Sequence, residues 1–181
     1  MENKYQIILA DPPWSYFNGS VPQGGVNAQY PTIKLDDIKK LPVDKISADT
    51  SVLLLWATFP QLQEALEVMK AWGFKYKTLG FSWPKTNKNG TPFFGIGYYA
   101  KSNVEVCLLG VKGNAHSLVK SNKVSSVILY PKTKHSTKPA IVREKIVELF
   151  GNLPRIELFA RQKTEGWDVW GNEVKSDIDL T

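Results

Sequence analysis

Tyr5-Gln-Ile-Ile-Leu-Ala-Asp-Pro-Pro-Trp14 decides the fold. Its first six residues form an apolar run of the length of a buried strand, and prolines follow at once. Because proline has no backbone N–H to donate to a neighbouring strand, the strand is expected to end at Ala10. The carboxyl group of Asp11 is thereby placed directly beyond the end of a strand.

The rest of the chain alternates apolar runs with helical patterns. Further strands are predicted at 51–56, 76–83, 104–111 and 155–159, with short ones at 127–130 and within 166–174. Helices are predicted at 35–41, from Pro60 to Gly73, and from Lys138-Pro139 to a glycine cap at Gly151. The helix from Pro60 carries an apolar stripe that is expected in the core, formed by Leu62, Ala65, Leu66 and Met69.

This alternation predicts one α/β domain, residues 1–181, with a mostly parallel sheet. Such sheets bind ligands beyond the carboxyl ends of their strands. Asp11 follows the first strand, the Trp83-Pro84-Lys85 run follows the third, and Arg161 follows the strand that ends at Phe159. If the sheet is parallel at these strands, we expect all of them to meet at one edge.

Composition excludes several classes of protein. The 181 residues are 43% apolar and 22% charged, as in an ordinary globular protein, and no run approaches the roughly 20 apolar residues of a membrane helix. With no signal-like N-terminus, we expect a cytoplasmic protein. The single cysteine, Cys107, rules out an internal disulfide, and His116 and His135 lie in separate loop-like stretches. No metal site is predicted.

The net charge of +6 and the pI near 9.3 favour a polyanionic partner. Many of the lysines lie in or around two loop-like stretches, one at 84–97 and one that begins at residue 112. Charge alone does not separate a nucleic-acid interface from an ordinary solvated surface.

Asp11-Pro12-Pro13-Trp14 has the residues needed to methylate an amino group on an aromatic ring. Such an amine is a weak nucleophile, because its lone pair is delocalised. The Asp11 carboxylate and the Pro12 carbonyl can each accept one N–H, on a backbone held rigid by two prolines. The carboxylate also stabilises the positive charge that develops on nitrogen, and Trp14 offers a ring for stacking. Alternatively, these residues form only a turn with an aromatic plug.

A base must leave its stack to enter such a pocket, which implies base flipping or a single-stranded target. The glycine-containing loops at 15–34 and 84–97 are candidates for holding the nucleic acid. Tyr30 could supply a second ring against the target base.

The motif resembles that of the N6-adenine methyltransferase family typified by the catalytic subunit of the eukaryotic messenger-RNA writer, which has small bacterial and phage members. The resemblance covers about residues 5–175. It includes Tyr30-Pro-Thr32, Leu54-Leu-Trp56, Trp83-Pro-Lys-Thr86, Glu105-Val-Cys-Leu-Leu-Gly-Val-Lys-Gly113, Ser136-Thr-Lys-Pro139, Ile156-Glu-Leu-Phe-Ala-Arg161, and Gly166-Trp167 with Gly171-Asn-Glu173.

The resemblance implies a Rossmann-like class I methyltransferase fold in a permuted order, with the catalytic motif before the cofactor motif. It implies S-adenosylmethionine as cofactor and the Asp11–Trp14 motif as catalytic. The residues implied at the target adenosine are Tyr30, Trp83, Lys85 and Glu105. Those implied at the cofactor are Asp11, Lys138 at its carboxylate, the strand residues Glu157, Phe159 and Arg161, and Asn172 and Glu173 at its ribose.

The resemblance leaves three functions open. An enzyme acting on DNA is favoured, because no RNA-recognition module is evident; the same chemistry on RNA and a catalytically silent nucleic-acid-binding subunit are the alternatives. A bacterial cell or a phage-infected host is the expected setting, and a monomer or a homodimer the expected state. No G-x-G-x-x-G dinucleotide motif occurs, and only ten residues precede Asp11, whereas larger relatives have an upstream segment that helps enclose the cofactor adenine.

Overall fold

A computed structural model describes residues 4–14, 32–97, 99–132 and 137–180. Tyr30, most of the loop predicted at 15–34, and His135 lie outside these ranges. No helix within them is long and apolar enough to cross a membrane.

The described residues form seven strands and four α-helices. The strands are β1 Tyr5–Ala10, β2 Ser47–Ala57, β3 Lys75–Thr86, β4 Val104–Lys112, β5 Tyr130–Pro131, β6 Arg155–Leu158 and β7 Asp168–Trp170. The helices are α1 Leu35–Lys40, α2 Val43–Ile46, α3 Leu62–Ala71 and α4 Ile141–Phe150, with short 3-10 turns at Phe59–Gln61 and Ala115–Leu118.

The strands form one sheet in the order β5-β3-β4-β2-β1-β6-β7. β1 pairs in parallel with both β2 and β6, β6 with β7, and β3 with β5. Only β4 is reversed, because it pairs antiparallel with both β2 and β3. The predicted mostly parallel α/β sheet is therefore confirmed.

The reversed strand decides what lies at the ligand-binding edge. β1, β2, β3, β6 and β7 all end there, whereas β4 begins there, so Glu105 near its start lies at the same edge as Asp11. Ala10 is in register with Leu158, and Leu158 with Trp170. The chain segments that follow β1, β6 and β7 therefore leave the sheet side by side.

Two apolar clusters cover the two faces of the sheet, because successive residues of β2 point to opposite sides. Leu53 and Leu55 lie in one cluster, together with Ile38 of α1 and Met69 of α3. The other contains Leu54, Trp56 and the apolar side of α4, which is formed by Val142, Ile146 and Phe150.

Two predicted details are corrected. In α3, Leu66 is partly exposed, and Val68 is buried beside Ala65 and Met69. α4 begins at Ile141 rather than at Lys138-Pro139, because the first turn is made by N–H groups of Val142 and Arg143 bonding to the carbonyls of Pro139 and Ala140. Gly151 ends the helix with a φ of 84°, as its predicted role as a cap requires.

Candidate active site

The turn after β1 holds Asp11 at the sheet edge with its side chain partly open to solvent. The Trp14 N–H donates to the Pro12 carbonyl (2.9 Å), and the Ile33 N–H donates to the Pro13 carbonyl (3.1 Å). The indole of Trp14 donates to the Trp56 carbonyl (3.2 Å). These bonds fix the Asp-Pro-Pro-Trp backbone, and the Pro12 carbonyl retains a second lone pair for another donor.

Trp14 is packed inward. Only 8% of its surface is exposed, and its ring belongs to the cluster that contains Ile8 and Leu53. This placement matches the alternative interpretation of the motif, in which Trp14 is an aromatic plug. The indole anchors the Asp-Pro-Pro-Trp turn to Trp56 of β2. A stacking contact with a base would require the ring to be uncovered.

Asp11 belongs to a chain of alternating charges. The Lys138 ammonium group lies 2.8 Å from Asp11 Oδ2 and 3.1 Å from Glu105 Oε2. The other oxygen of Glu105 accepts a hydrogen bond from the Lys85 ammonium group. Four residues predicted at the site, each from a different stretch of the sequence, are thus brought together. We refer to Asp11, Lys138, Glu105 and Lys85 as the charge network.

The network keeps Glu105 and Lys138 ionised. Burial by itself raises the pKa of Glu105, but the ammonium groups of Lys138 and Lys85 outweigh it and hold that pKa below its ordinary value. Burial likewise lowers the pKa of Lys138, and the carboxylates of Asp11 and Glu105 reverse this and raise it well above its ordinary value. At neutral pH Glu105 is therefore a carboxylate and Lys138 an ammonium group.

Two tryptophans lie beneath the network. The Lys138 ammonium group is 5.5 Å from the centre of the Trp56 ring, and that of Lys85 is 5.1 Å from the centre of the Trp83 ring. Trp83 was predicted at the substrate, but its ring is 1% exposed and its N–H donates to the Tyr130 carbonyl (2.8 Å). The buried Trp83 ring therefore supports the Lys85 side chain, and Lys85 is the one of these two residues that a ligand can reach.

A second group of predicted residues lies where β6 and β7 end. Phe159 has a φ of 61°, the only positive φ of a non-glycine residue among those described. Such strain is concentrated at ligand sites. The Phe159 ring packs edge-on against Trp170 at 5.3 Å, and Arg161 Nε lies 3.6 Å from Glu173 Oε1. The predicted cofactor residues Arg161 and Glu173 are thus neighbours, with Asn172 exposed beside them.

Glu157 does not point into open space. Its two carboxylate oxygens accept hydrogen bonds from Nε and Nη2 of Arg143 on α4, both at 2.7 Å. Both side chains are largely buried, and the paired geometry is that of a strong Arg–carboxylate contact. The pair fastens α4, and with it the segment that carries Lys138, to the strand β6.

Sequence reasoning missed Arg143 and Trp56 as parts of the site. Arg143 is 14 residues from Glu157, and no local pattern joins them. Trp56 lies in the matched stretch Leu54-Leu-Trp56 but was given no role, although its carbonyl accepts the Trp14 hydrogen bond and its ring supports Lys138.

The described residues fit an amino-acid-bearing cofactor. A free α-amino acid carries an ammonium group and a carboxylate, and Asp11 and Lys138 present the complementary charges side by side. Exposed hydrogen-bonding groups of Asn172 and Glu173 suit hydroxyl groups. Within the described part of the chain, no group of three His, Cys, Asp or Glu side chains could hold a metal ion.

The comparisons with known proteins agree with this geometry. The MT-A70 family model matches residues 5–173. The chain is 34% identical to the type II methyltransferase M.MunI of Mycoplasma sp over 94% of its length and 78% of that protein. It is 26% identical to the N(6)-adenosine-methyltransferase catalytic subunit METTL3 of Homo sapiens and to an N(6)-adenosine-methyltransferase MT-A70-like protein of Arabidopsis thaliana.

The extent of these matches differs. The two eukaryotic proteins are each matched over 94% of this chain, which spans only 28% and 24% of their lengths. The order of the residues, the placement of Asp11 at the carboxyl end of β1 and the nearly complete family match agree with one another. The predicted resemblance and enzyme class are confirmed: this chain belongs to the MT-A70 family of methyltransferases.

Proposed function

We propose that this protein transfers a methyl group from S-adenosylmethionine to the N6 amine of adenine in DNA. The observation that carries the proposal is the charge network, in which a partly open Asp11 carboxylate lies at the ligand-binding edge of the sheet within 2.8 Å of the Lys138 ammonium group. S-adenosylmethionine supplies an electrophilic methyl group on its sulfonium, and the residues of this chain bind and orient the reactants.

Asp11 and Pro12 hold the amine. The carboxylate accepts one N–H, and the free lone pair of the Pro12 carbonyl accepts the other. This leaves the nitrogen lone pair directed at the methyl group, and the carboxylate stabilises the positive charge as the N–C bond forms and the C–S bond breaks. The proton then leaves the nitrogen to water or through Asp11. Lys85 and Glu105 face the target nucleoside, where they orient the base or its phosphate.

Lys138 and the ends of β6 and β7 hold the cofactor. Lys138 binds the carboxylate of its amino-acid end, and Asp11 lies close enough to bind the ammonium group. Asn172 and Glu173 bind the ribose hydroxyls, beside Arg161 and Phe159. Glu157 acts indirectly, because its carboxylate is engaged by Arg143 and keeps α4 and Lys138 in position.

Charge distribution supports a nucleic-acid substrate. Residues 68–142 contain twelve lysines and a single carboxylate, Glu105, although the whole chain has 17 acidic residues. This segment includes β3, β4 and β5, which form one side of the sheet. A polyanion would therefore bind on the β3–β5 side of Asp11, away from β6 and β7.

DNA is preferred to RNA as the substrate because of the comparisons with relatives. The chain is 34% identical to a type II methyltransferase over 78% of that protein, and only 26% identical to the N(6)-adenosine-methyltransferases over about a quarter of theirs. We also propose a cytoplasmic location and a monomeric or homodimeric state.

One assay tests the proposal. The protein is incubated with labelled S-adenosylmethionine and equal amounts of duplex DNA, the same DNA denatured, and RNA, and the digested nucleosides are separated. N6-methyladenine in DNA is expected. Label on cytosine, on RNA alone or on none of the three would contradict it. Asp11→Asn keeps the shape of the side chain and removes its charge, so transfer should be lost; Asp36→Asn, on the exposed face of α1, is the matched control.

A further inference from the structure

The described residues between β3 and β4 form a double turn that is hydrogen-bonded to the backbone of Lys85 in the charge network. The Lys85 N–H donates to the Asn103 carbonyl (2.8 Å), and the Phe93 N–H donates to the Lys85 carbonyl (2.9 Å). The backbone of a network residue is therefore bonded to both limbs of this segment. Because β3 ends and β4 begins at the ligand-binding edge, the double turn extends beyond that edge.

Its outer turn is narrow and has a defined shape. The Gly95 N–H donates to the Ser102 carbonyl (2.8 Å). A Cβ atom on Gly95 would overlap the Ser102 carbonyl oxygen, and one on Gly97 would overlap that of Ala100. Glycine is needed at both positions so that the two limbs can approach each other. We call residues 94–97 and 99–102 the tip.

The tip exposes apolar side chains to an unusual degree. Ile96 is 99% exposed, Tyr99 is fully exposed, and Phe94 is 64% exposed. Large apolar side chains presented together on a projecting turn are typical of a surface that contacts a partner.

The surrounding charge favours a nucleic acid over a second copy of the chain. Lys101 lies in the tip, Lys88 lies in the turn that precedes it, and the ammonium group of Lys132 lies 3.8 Å from the centre of the Phe93 ring. No carboxylate occurs from residue 68 to residue 104. Two such surfaces facing each other in a dimer would repel, whereas a phosphate backbone would be attracted on both sides of the apolar tip.

We propose that the tip, through Ile96 and Tyr99, inserts between stacked bases of duplex DNA and helps the target adenine leave the helix. The inference rests on the proposed function and names the element that opens the substrate for it. Apolar side chains that enter a base step unstack it, and a flipped base must be replaced or its gap closed. Lys88 and Lys101 then hold the phosphates beside the opened step.

The test compares one DNA in two forms. Plasmid DNA without adenine methylation is offered as a duplex and as denatured single strands, and transfer is measured for the wild type and for Ile96→Gln combined with Tyr99→Ser. Because unstacking requires a few kcal/mol and 1.4 kcal/mol is tenfold, roughly tenfold slower transfer is expected on the duplex, with less than a twofold change on single strands. The matched control, Leu66→Gln with Tyr76→Ser, likewise changes one aliphatic residue and one tyrosine, both partly exposed and outside the tip, and should behave as wild type.

Several results would overturn the inference. An equal loss on both DNA forms would indicate a role in general binding, and an unchanged duplex rate would remove the tip from the reaction. If the wild type methylated only single strands, there would be no duplex for the tip to open, and the proposed insertion would be wrong. Sedimentation that shows a wild-type dimer and a monomeric tip variant would assign the tip to self-association. Absence of transfer by the wild type on every substrate would instead contradict the proposed function itself.

Discussion

The Lys138 ammonium group lies 2.8 Å from the Asp11 carboxylate, although 127 positions separate the two residues in the chain. Lys138 also bonds to Glu105, so one cation holds two carboxylates at the mouth of the site. Two carboxylates this close would repel each other without it. Through this contact, the conformation of the Asp-Pro-Pro-Trp turn depends on the position of the segment that precedes α4.

Replacement of Lys138 by methionine should destabilise the protein. The change removes the cation between Asp11 and Glu105 and leaves Glu105 paired with Lys85 alone, and loss of one partner of a buried ion pair costs about 3–5 kcal/mol. Urea unfolding measures the loss. Lys77→Met, at an exposed position of β3, is the control and should change the free energy of unfolding by less than about 0.5 kcal/mol. Similar losses for both variants would show that the network contributes nothing specific.

The contribution of Glu105 should depend on pH in a defined direction. Its folded pKa is held below the ordinary value of 4.5, so its stabilisation is fully present above that pH and is lost as the pH falls through the folded pKa. Lys138 has a raised pKa, so its contribution is lost only as the solution becomes more alkaline than its ordinary value of 10.5. The difference in unfolding free energy between wild type and Glu105→Gln should stay constant from about pH 6 to 9 and shrink below about pH 4. A difference that grows on acidification would contradict the assigned shift.

Arg143→Met should weaken the attachment of α4 to β6. It leaves the buried Glu157 carboxylate without its two hydrogen bonds, which costs about 3–5 kcal/mol of unfolding free energy. Arg143→Met combined with Glu157→Met removes both charges and should be less destabilised than Arg143→Met alone. Denaturant unfolding of both variants decides the matter, and additive losses would show that the two side chains do not act as a pair.

Gly171→Ala should reduce cofactor affinity. A Cβ atom there would overlap the Ala160 carbonyl oxygen and lie 2.8 Å from the Ala160 nitrogen, so the segments after β6 and β7 must separate. These segments carry Arg161, Asn172 and Glu173, and small displacements of binding groups are costly; we expect S-adenosylmethionine to bind roughly tenfold more weakly. Calorimetric titration measures this. At Gly90 a Cβ atom meets nothing within 4 Å, but its φ of 81° makes alanine strained there. Gly90 lies in the turn after β3, outside the segments after β6 and β7, so Gly90→Ala should leave the affinity for S-adenosylmethionine unchanged and is the control for backbone strain alone.

The salt dependence of DNA binding should arise mainly from lysines on the β3–β5 side of the sheet. Lys88→Gln with Lys101→Gln removes two exposed ammonium groups, one in the turn before the tip and one in the tip itself. If each neutralises a phosphate, the slope of log K against log salt should fall by about 1.8. The control, Lys45→Gln with Lys175→Gln, changes two exposed lysines outside residues 68–142 and should leave the slope nearly unchanged. Equal effects from both pairs would indicate diffuse attraction by net charge.

Much of the fold was readable from local pattern. The strands β1, β2, β4 and β6 were predicted within a few residues of their observed bounds, because uninterrupted apolar runs are the strongest local signal. The start of α4 was misplaced by three residues, since proline before a helix does not determine which N–H groups bond first. Leu66 was misassigned to the core because its helical spacing matches the stripe, although its side chain faces outward at the margin.

By itself, the sequence determined that a strand ends at Ala10, that Asp11 follows it on a rigid Asp-Pro-Pro-Trp turn, and that its companion motifs occur in the order of one family. Tertiary structure alone decided that β4 runs backward, and this reversal brings Glu105 to the same edge as Asp11 and Lys138. It also buried Trp14 and Trp83 and joined Arg143 to Glu157. The physical reason is that an apolar run encodes the burial of a strand, whereas its direction and partners depend on hydrogen bonds between segments far apart in the chain.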